Sequence, residues 1–192
     1  MGSKQAKVFT QKEVKRVLQS ISLNSHADRN RAIFMCSLLA GMRACEISSL
    51  LYNDVMDREG NVRAQIYLCQ LYTKGDHSRY VYVSSKLQQE LARYFRAVPP
   101  SHSHNKLFYS QKGPIEGFSP NTIAQLFGQI YKAAGVDGAS SHSGRRTFLT
   151  ALAEKGVNVR VIMQLAGHRS MATTQRYIET NPEMIRRALE LV

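Results

Sequence analysis

Residues 63–84 read RAQIYLCQLYTKGDHSRYVYVS, and along this stretch apolar side chains recur at every second position. Ile66 and Leu68 fall on one side of the first half and Val81 and Val83 on one side of the second, with turn chemistry at Lys74-Gly75-Asp76 between them. The stretch predicts an antiparallel pair of strands. On both sides of it the period is helical. Upstream, Thr10-Gln11-Lys12-Glu13 is a capping box, in which each side chain satisfies an orphan amide of a first turn, and Val14, Val17, Leu18 and Ile21 form the apolar face behind it. Ser25 to Asp28 repeats the box before a buried run, Ile33, Phe34, Ser37, Leu38 and Leu39, that ends near Gly41. A third helix is expected from about Arg43. Downstream, Ser85-x-x-Gln88 opens a helix carrying Leu87, Leu91 and Phe95, and Pro99-Pro100 end it before a polar loop. Ser119-Pro120 is a cap with proline at the first helical position, ahead of Ile123, Leu126, Phe127 and Ile130. After a break at Gly135–Ser141 come Phe148, Leu149 and Leu152, closed by Gly156, then Val159, Ile162, Met163 and Leu165, closed by Gly167. Ser170 and Asn181 cap two further short helices, and the last presents Ile185, Ala188, Leu189 and Val192 as an apolar stripe that needs a partner. The chain therefore reads as mainly α with a small antiparallel sheet, an α+β fold, with residues 1–9 as a tail and 10–192 as one domain.

At 192 residues and 43% hydrophobic composition, such a domain buries a core without disulfides or metals. No apolar run approaches the roughly 20 residues that span a bilayer, and the start, Met-Gly-Ser-Lys-Gln, lacks a signal-peptide core, so no membrane association and a cytoplasmic location are expected. Gly2-Ser3 has the look of a cloning remnant. Cys36, Cys45 and Cys69 show no Cys-x-x-Cys spacing and read as reduced packing residues. His102 and His104 sit in a Pro-Pro-Ser-His-Ser-His-Asn stretch that reads as a solvated loop, so no metal site is expected. Twenty-six Lys and Arg against fourteen Asp and Glu leave a net charge of +12, a field suited to a polyanion. Nucleic acid leads the expected partners; a basic enzyme of another kind or a ribosome-associated module would show the same charge.

Several polar residues stand where an ordinary core would not place them. Arg43 follows Leu38-Leu39-Ala40-Gly41-Met42 at a helix junction and needs an anionic partner, which Glu46 three positions on can supply. On that pair alone, a structural ion pair accounts for both. His142 and Arg145, three apart at a helix start, project from one face toward whatever lies at that end, although a histidine there also serves as a plain cap. His168 follows Leu165-Ala166-Gly167, and Tyr177 comes nine residues later in Thr173-Thr174-Gln175-Arg176-Tyr177, where a tyrosine is often a core residue.

Taken in order, these residues resemble the tyrosine recombinase family, also called the phage integrase family. There an arginine after a buried helix, a lysine in a β-hairpin, a His-x-x-Arg helix start, a Gly-His and a tyrosine surround one phosphodiester. The matching positions are Arg43, Lys74, His142, Arg145, His168 and Tyr177, with Glu46 as the bracing acid, and the match runs from about Thr10 to the C-terminus. The resemblance implies the catalytic-domain architecture of that family and a site-specific DNA recombinase that forms a 3′-phosphotyrosine. The residue types suit the chemistry. Two arginines can hold the nonbridging oxygens of a pentacoordinate phosphorus with bidentate hydrogen bonds, which assigns Arg43 and Arg145. A phenol with an ordinary pKa near 10 needs a base or cationic surroundings to attack, which assigns Tyr177 as nucleophile. A lysine among other cations can protonate the departing 5′ oxygen, which suits Lys74. The resemblance implies that His142 helps deprotonate Tyr177 and that His168 hydrogen-bonds the scissile phosphate. No metal or other cofactor is expected.

Two positions depart from the family pattern. Family members commonly carry a large apolar residue before the second arginine and a histidine after it, whereas Gly144 and Arg146 stand there. Gly144 is expected to loosen the helix start by up to about 1 kcal/mol, and Arg146 to reach DNA phosphate. Many members also carry an amino-terminal domain that clamps the other face of DNA, and none is read before Thr10. That leaves a minimal recombinase, like the small fimbrial inversion enzymes of the family, or a catalytic fragment. The resemblance further implies double-stranded DNA as partner, a homotetramer on DNA in which the C-terminal stripe docks on a neighbour, and room for accessory DNA-bending proteins. The alternatives are a type IB topoisomerase, which shares much of the active site, and a basic DNA-binding regulator without catalysis.

Overall fold

The computed structural model describes residues 5–69, 78–98, 100, 105–110, 117–178, 185–186 and 189–190. The chain begins with α1 (Gln11–Ser22), α2 (Ala27–Ala40), α3 (Ala44–Ser49) and the single turn α4 (Tyr52–Val55). It then passes through β1 (Gln65–Leu68) and β2 (Arg79–Tyr82) and continues as α5 (Ser85–Ala97), α6 (Pro120–Ala133), α7 (Ser143–Glu154), α8 (Val159–Ala166) and α9 (Met171–Gln175). The strands pair antiparallel with Ile66 opposite Val81, the register that the alternation requires. Ile66, Leu68, Val81 and Val83 face the core, while Tyr67, Tyr80 and Tyr82 face outward. The turn expected at Lys74-Gly75-Asp76 lies outside the described residues, as do His102, His104, the Asn181 cap, Ala188 and Val192.

Local chemistry explains most helix ends. Thr10 Oγ1 accepts from the Glu13 amide while the Glu13 carboxylate accepts from the Thr10 amide, so the first box is formed as expected. Ser119 caps α6 with Pro120 behind it, and Gly41 and Gly167 end α2 and α8 in the left-handed conformation. Two expected caps are displaced. His26, not Ser25, precedes α2, because the first intrahelical bond runs from the Asn30 amide to the His26 carbonyl. Ser84, not Ser85, caps α5, and Gln88 spends its side-chain amide on the Val62 carbonyl instead of on a box.

The main core gathers α1, α2, α3, α5, α6 and the inner face of the sheet, and Val17, Ile33, Ile47, Leu91, Ile123 and Phe127 are fully enclosed in it. A smaller second core, Leu149, Ala153, Ile162 and Ala166, joins α7 to α8 and receives Tyr177 and Ile178 at its edge. Helix α7 packs on α2 and so ties the two cores together. Of the segment expected as a tail, residues 6–9 are packed as well. Phe9 is buried against the rings of Phe34 and Tyr131, and its amide donates to Thr147 Oγ1 of α7. Arg146 Nη1 donates to the Ala6 carbonyl at 2.8 Å, so the guanidinium expected to reach phosphate is engaged within the fold.

Cys36 is buried and its thiol is pushed up to about 12 by that burial, which leaves it inert packing. Among the described residues no helix is long and apolar enough to cross a membrane.

Candidate active site

The ends of four helices and one strand converge between the two cores. Arg43 precedes α3, Glu46 lies in its first turn, Arg79 opens β2, Arg145 lies in the first turn of α7, His168 follows α8 and Tyr177 follows α9. Apart from Arg43 and Glu46, which share one, each comes from a different stretch of chain, and the junction of α2, α7 and α8 brings them together.

Glu46 is fully buried, and four donors meet its carboxylate. Oε1 accepts from Arg43 Nη1 and from Arg79 Nε, both at 2.9 Å, and Oε2 accepts from the Arg43 amide at 2.7 Å and from Arg79 Nη2 at 2.8 Å. Burial opposes ionisation of Glu46, but the paired hydrogen bonds from Arg79 and the charges of both arginines outweigh it and hold the carboxyl below its ordinary range. The acid therefore braces two guanidiniums. Arg79 escaped the sequence reading because its side chain points inward from a strand whose alternate residues, Tyr80 and Tyr82, face solvent, and nothing local pairs it with Glu46. Its third donor, Nη1, reaches the Leu165 carbonyl at 3.0 Å. This explains the glycine before His168: with φ at +61°, Gly167 lies under the Arg79 stem, and a Cβ there would come within 2.4 Å of Arg79 Cδ.

Arg145 is 4% exposed. Its Nη1 donates to the Gly41 carbonyl at the end of α2, and Nη2 donates to the Ala166 carbonyl at the end of α8 (2.7 Å) and to His168 Nε2 (2.9 Å). Two helix C-termini thus turn their partially negative ends toward the guanidinium, and none of these acceptors is a carboxylate. Burial, followed by the neighbouring charge of Arg43, lowers the guanidinium to about 10, still charged at neutral pH. The close approach of α7 to α2 depends on Gly144, where a Cβ would lie 2.7 Å from Ser37 Oγ. Gly144 is thus a contact point between helices, where the sequence suggested only a loosened helix start.

His168 is half-buried, and burial together with the charges of Arg145, Arg43 and Arg79 pushes its pKa down to about 4, so the ring is neutral at pH 7. An arginine only donates, so Nε2 must be the bare nitrogen and Nδ1 carries the proton, which points at Thr174 Oγ1 3.0 Å away. In this arrangement His168 accepts from Arg145. The Tyr177 ring stacks on it with centroids 5.8 Å apart. His142 is exposed at the head of α7, one turn before Arg145, and its side chain makes no capping bond there. Of the residues singled out from the sequence, Arg43, Glu46, Arg145, His168 and Tyr177 are gathered here with His142 at the rim, and Lys74 lies outside the described residues. Among the described residues no three His, Cys, Asp or Glu side chains group to hold a metal.

Residues 7–184 match the family model described as the phage integrase family. The tyrosine recombinase XerC of Lactobacillus delbrueckii subsp. bulgaricus is 31% identical over 177 residues, which cover 88% of this chain and 57% of that protein. The crystal structure of a XerA recombinase superposes with a TM-score of 0.75 at 25% identity, covering 98% of this chain and 66% of that one. The Tn1549 transposon integrase in complex with a circular intermediate DNA shares the fold, with a TM-score of 0.75, at 19% identity and 100% and 67% coverage. This chain therefore spans between about half and two thirds of the length of these relatives. A family match that runs through every element of the site leaves one conclusion: the chain belongs to the phage integrase family.

Proposed function

We propose that this domain cuts a strand of double-stranded DNA through a 3′-phosphotyrosine at Tyr177 and reseals it to a partner strand, as a site-specific recombinase. The observation that carries the reading is Arg145, a buried guanidinium held by neutral acceptors beside a second guanidinium, Arg43, so that an incoming phosphate meets preorganised positive charge. Arg43 and Arg145 hold the nonbridging oxygens. The Tyr177 oxygen attacks phosphorus as its proton passes to His142, the bond from phosphorus to the 5′ oxygen breaks, and Lys74 protonates that oxygen. Resealing runs the same steps in reverse with the 5′ hydroxyl of a partner strand. The roles of Lys74 and His142 rest on the family resemblance, as does assembly of a homotetramer on DNA in the cytoplasm, with accessory DNA-bending proteins where the site demands them. Exposure of Ile185 and Leu189 near the C-terminus favours a recombinase that docks on a neighbour over a type IB topoisomerase.

The test uses nicked duplexes drawn from the DNA flanking the gene, which trap the covalent intermediate. The wild-type chain should give a detergent-resistant protein–DNA adduct without magnesium, and Tyr177→Phe should give none while binding DNA nearly as well. An adduct in Tyr177→Phe refutes the assignment. Relaxation of supercoils without joining of two labelled duplexes would favour the topoisomerase reading, and DNA binding without any adduct would favour a regulator.

A further inference from the structure

Glu46 is saturated with donors. A carboxylate offers about four lone-pair sites, and here Arg43 Nη1 and Arg79 Nε take those of Oε1 while the Arg43 amide and Arg79 Nη2 take those of Oε2. The two guanidiniums divide these sites unequally. Arg79 places one donor on each oxygen, the bidentate geometry, and its third nitrogen on the Leu165 carbonyl, with a side chain 9% exposed. Arg43 reaches the carboxylate through one side-chain donor only. Among the described residues its Nε and Nη2 meet no acceptor, and its side chain is 20% exposed. One arginine is therefore fully engaged within the fold, and the other keeps donors for a ligand.

We infer that Arg79 is a positioning residue of the strand-cutting reaction: by filling the bidentate face of Glu46 it confines Arg43 to one side-chain bond there and leaves the other Arg43 donors for the nonbridging oxygens of the phosphate. Arg79 itself touches no reacting atom. Without it, two lone-pair sites of a fully buried carboxylate stand open, and unfilled buried acceptors are costly. Arg43, already bonded to the same carboxylate, carries the unused donors, so it turns onto Glu46 and is withdrawn from the phosphate. Lysine at 79 keeps the charge but has no fork to span both oxygens. The inference rests on the recombinase reading of the site for its consequence, although the pairing of the three side chains does not.

The pairing is read from crystal structures of Arg79→Met and Arg79→Lys. In both, a second side-chain donor of Arg43 should lie on Glu46, and an Arg43 still held by one overturns the inference. The consequence is read from the rate of adduct formation at saturating nicked DNA, at a temperature where circular dichroism shows each chain folded. Arg79→Met should be about 10- to 100-fold slower, the scale on which small misplacements of a transition-state donor act. Arg79→Lys should also be slower than wild type. Altered substrates locate the loss. A methylphosphonate at the scissile position exchanges one nonbridging oxygen for a methyl group, so the deficit against wild type should shrink on the diastereomer that lacks the oxygen facing Arg43. General loosening of the site slows every substrate alike, and an equal deficit on ordinary DNA and on both diastereomers overturns the inference. Rescue by a bridging 5′ sulfur overturns it too, because that traces the loss to protonation of the leaving group. So does a folded Arg79→Met chain that cuts as fast as wild type. Should Arg79→Met fail to fold, Arg79→Lys decides by the same measurements, and a wild-type rate there overturns the inference. A wild-type chain that forms no adduct refutes the recombinase reading instead, and the variant structures still decide the pairing.

Discussion

Arg79→Met tests the part of the site that the sequence concealed. The substitution keeps an unbranched stem over Gly167 but removes two of the four donors on Glu46 and the donor to the Leu165 carbonyl. Glu46 stays buried at 0% exposure, and Arg43 remains as its only ion-pair partner among the described residues. Removing one partner from a buried pair typically costs 3–5 kcal/mol, and the surviving Arg43 bonds place this case near the lower end, about 3 kcal/mol. For a chain of this size that corresponds to a fall in Tm of roughly 6–12 °C. Urea and thermal unfolding at pH 7 measure it. The deficit should shrink as the pH falls, because in the variant Glu46 can become neutral by taking up a proton. Adding Glu46→Gln removes the stranded charge, so the double variant should be more stable than the sum of the two single losses. An Arg79→Met chain within about 0.5 kcal/mol of wild type, the scatter of ordinary surface substitutions, refutes the reasoning, as does strict additivity.

His168 is depressed to about 4 from its ordinary 6.5, so the unfolded chain takes up a proton there first, and the stability the neutral ring contributes is lost as pH falls from about 6.5 to 4. Unfolding curves should show this slope, and His168→Gln should flatten it. Gly144→Leu should lower stability by about 1–3 kcal/mol through the clash with Ser37, and Ser37→Ala in that background should return part of the loss. Lys74→Ala should slow adduct formation on ordinary DNA and be rescued by a substrate with a bridging 5′ sulfur, whose departure needs no proton; failure of the rescue removes Lys74 from the general-acid role. The logarithm of the DNA binding constant should fall linearly with log salt, with a slope of about 0.9 per phosphate contacted, and a flat response in a filter-binding or anisotropy titration would contradict an electrostatic role for the +12 charge.

The elements legible in the sequence are those set by contacts within a few residues. The Thr10–Glu13 box, the Ser119-Pro120 start, the glycine ends at Gly41 and Gly167 and the alternation of Ile66, Leu68, Val81 and Val83 each state their conformation locally, and the structure carries all of them. The candidate site was legible for a different reason: its residues, each open to a plain structural reading alone, resemble one family's pattern when taken in order, and Arg43, Glu46, Arg145, His168 and Tyr177 do meet. The displaced caps at His26 and Ser84 show the limit of the local signal, since Ser25 and Ser85 carry equally good oxygens and Gln88 is drawn off by Val62, distant in sequence.

What only the tertiary structure decided is how the charges are held. Arg79 meets Glu46 across 33 positions, Arg145 meets Gly41 across 104 and Ala166 across 21, and Arg146 turns back to Ala6 across 140. A buried guanidinium must place its donors on whichever acceptors the packing of α2, α7 and α8 brings within reach, and a helical or strand period describes only one element at a time. The same limit hid the role of Gly144, whose missing side chain has meaning only against Ser37 on another helix. It also hid the proton on His168, because which nitrogen carries it depends on the donors and acceptors facing the ring from α7 and α9.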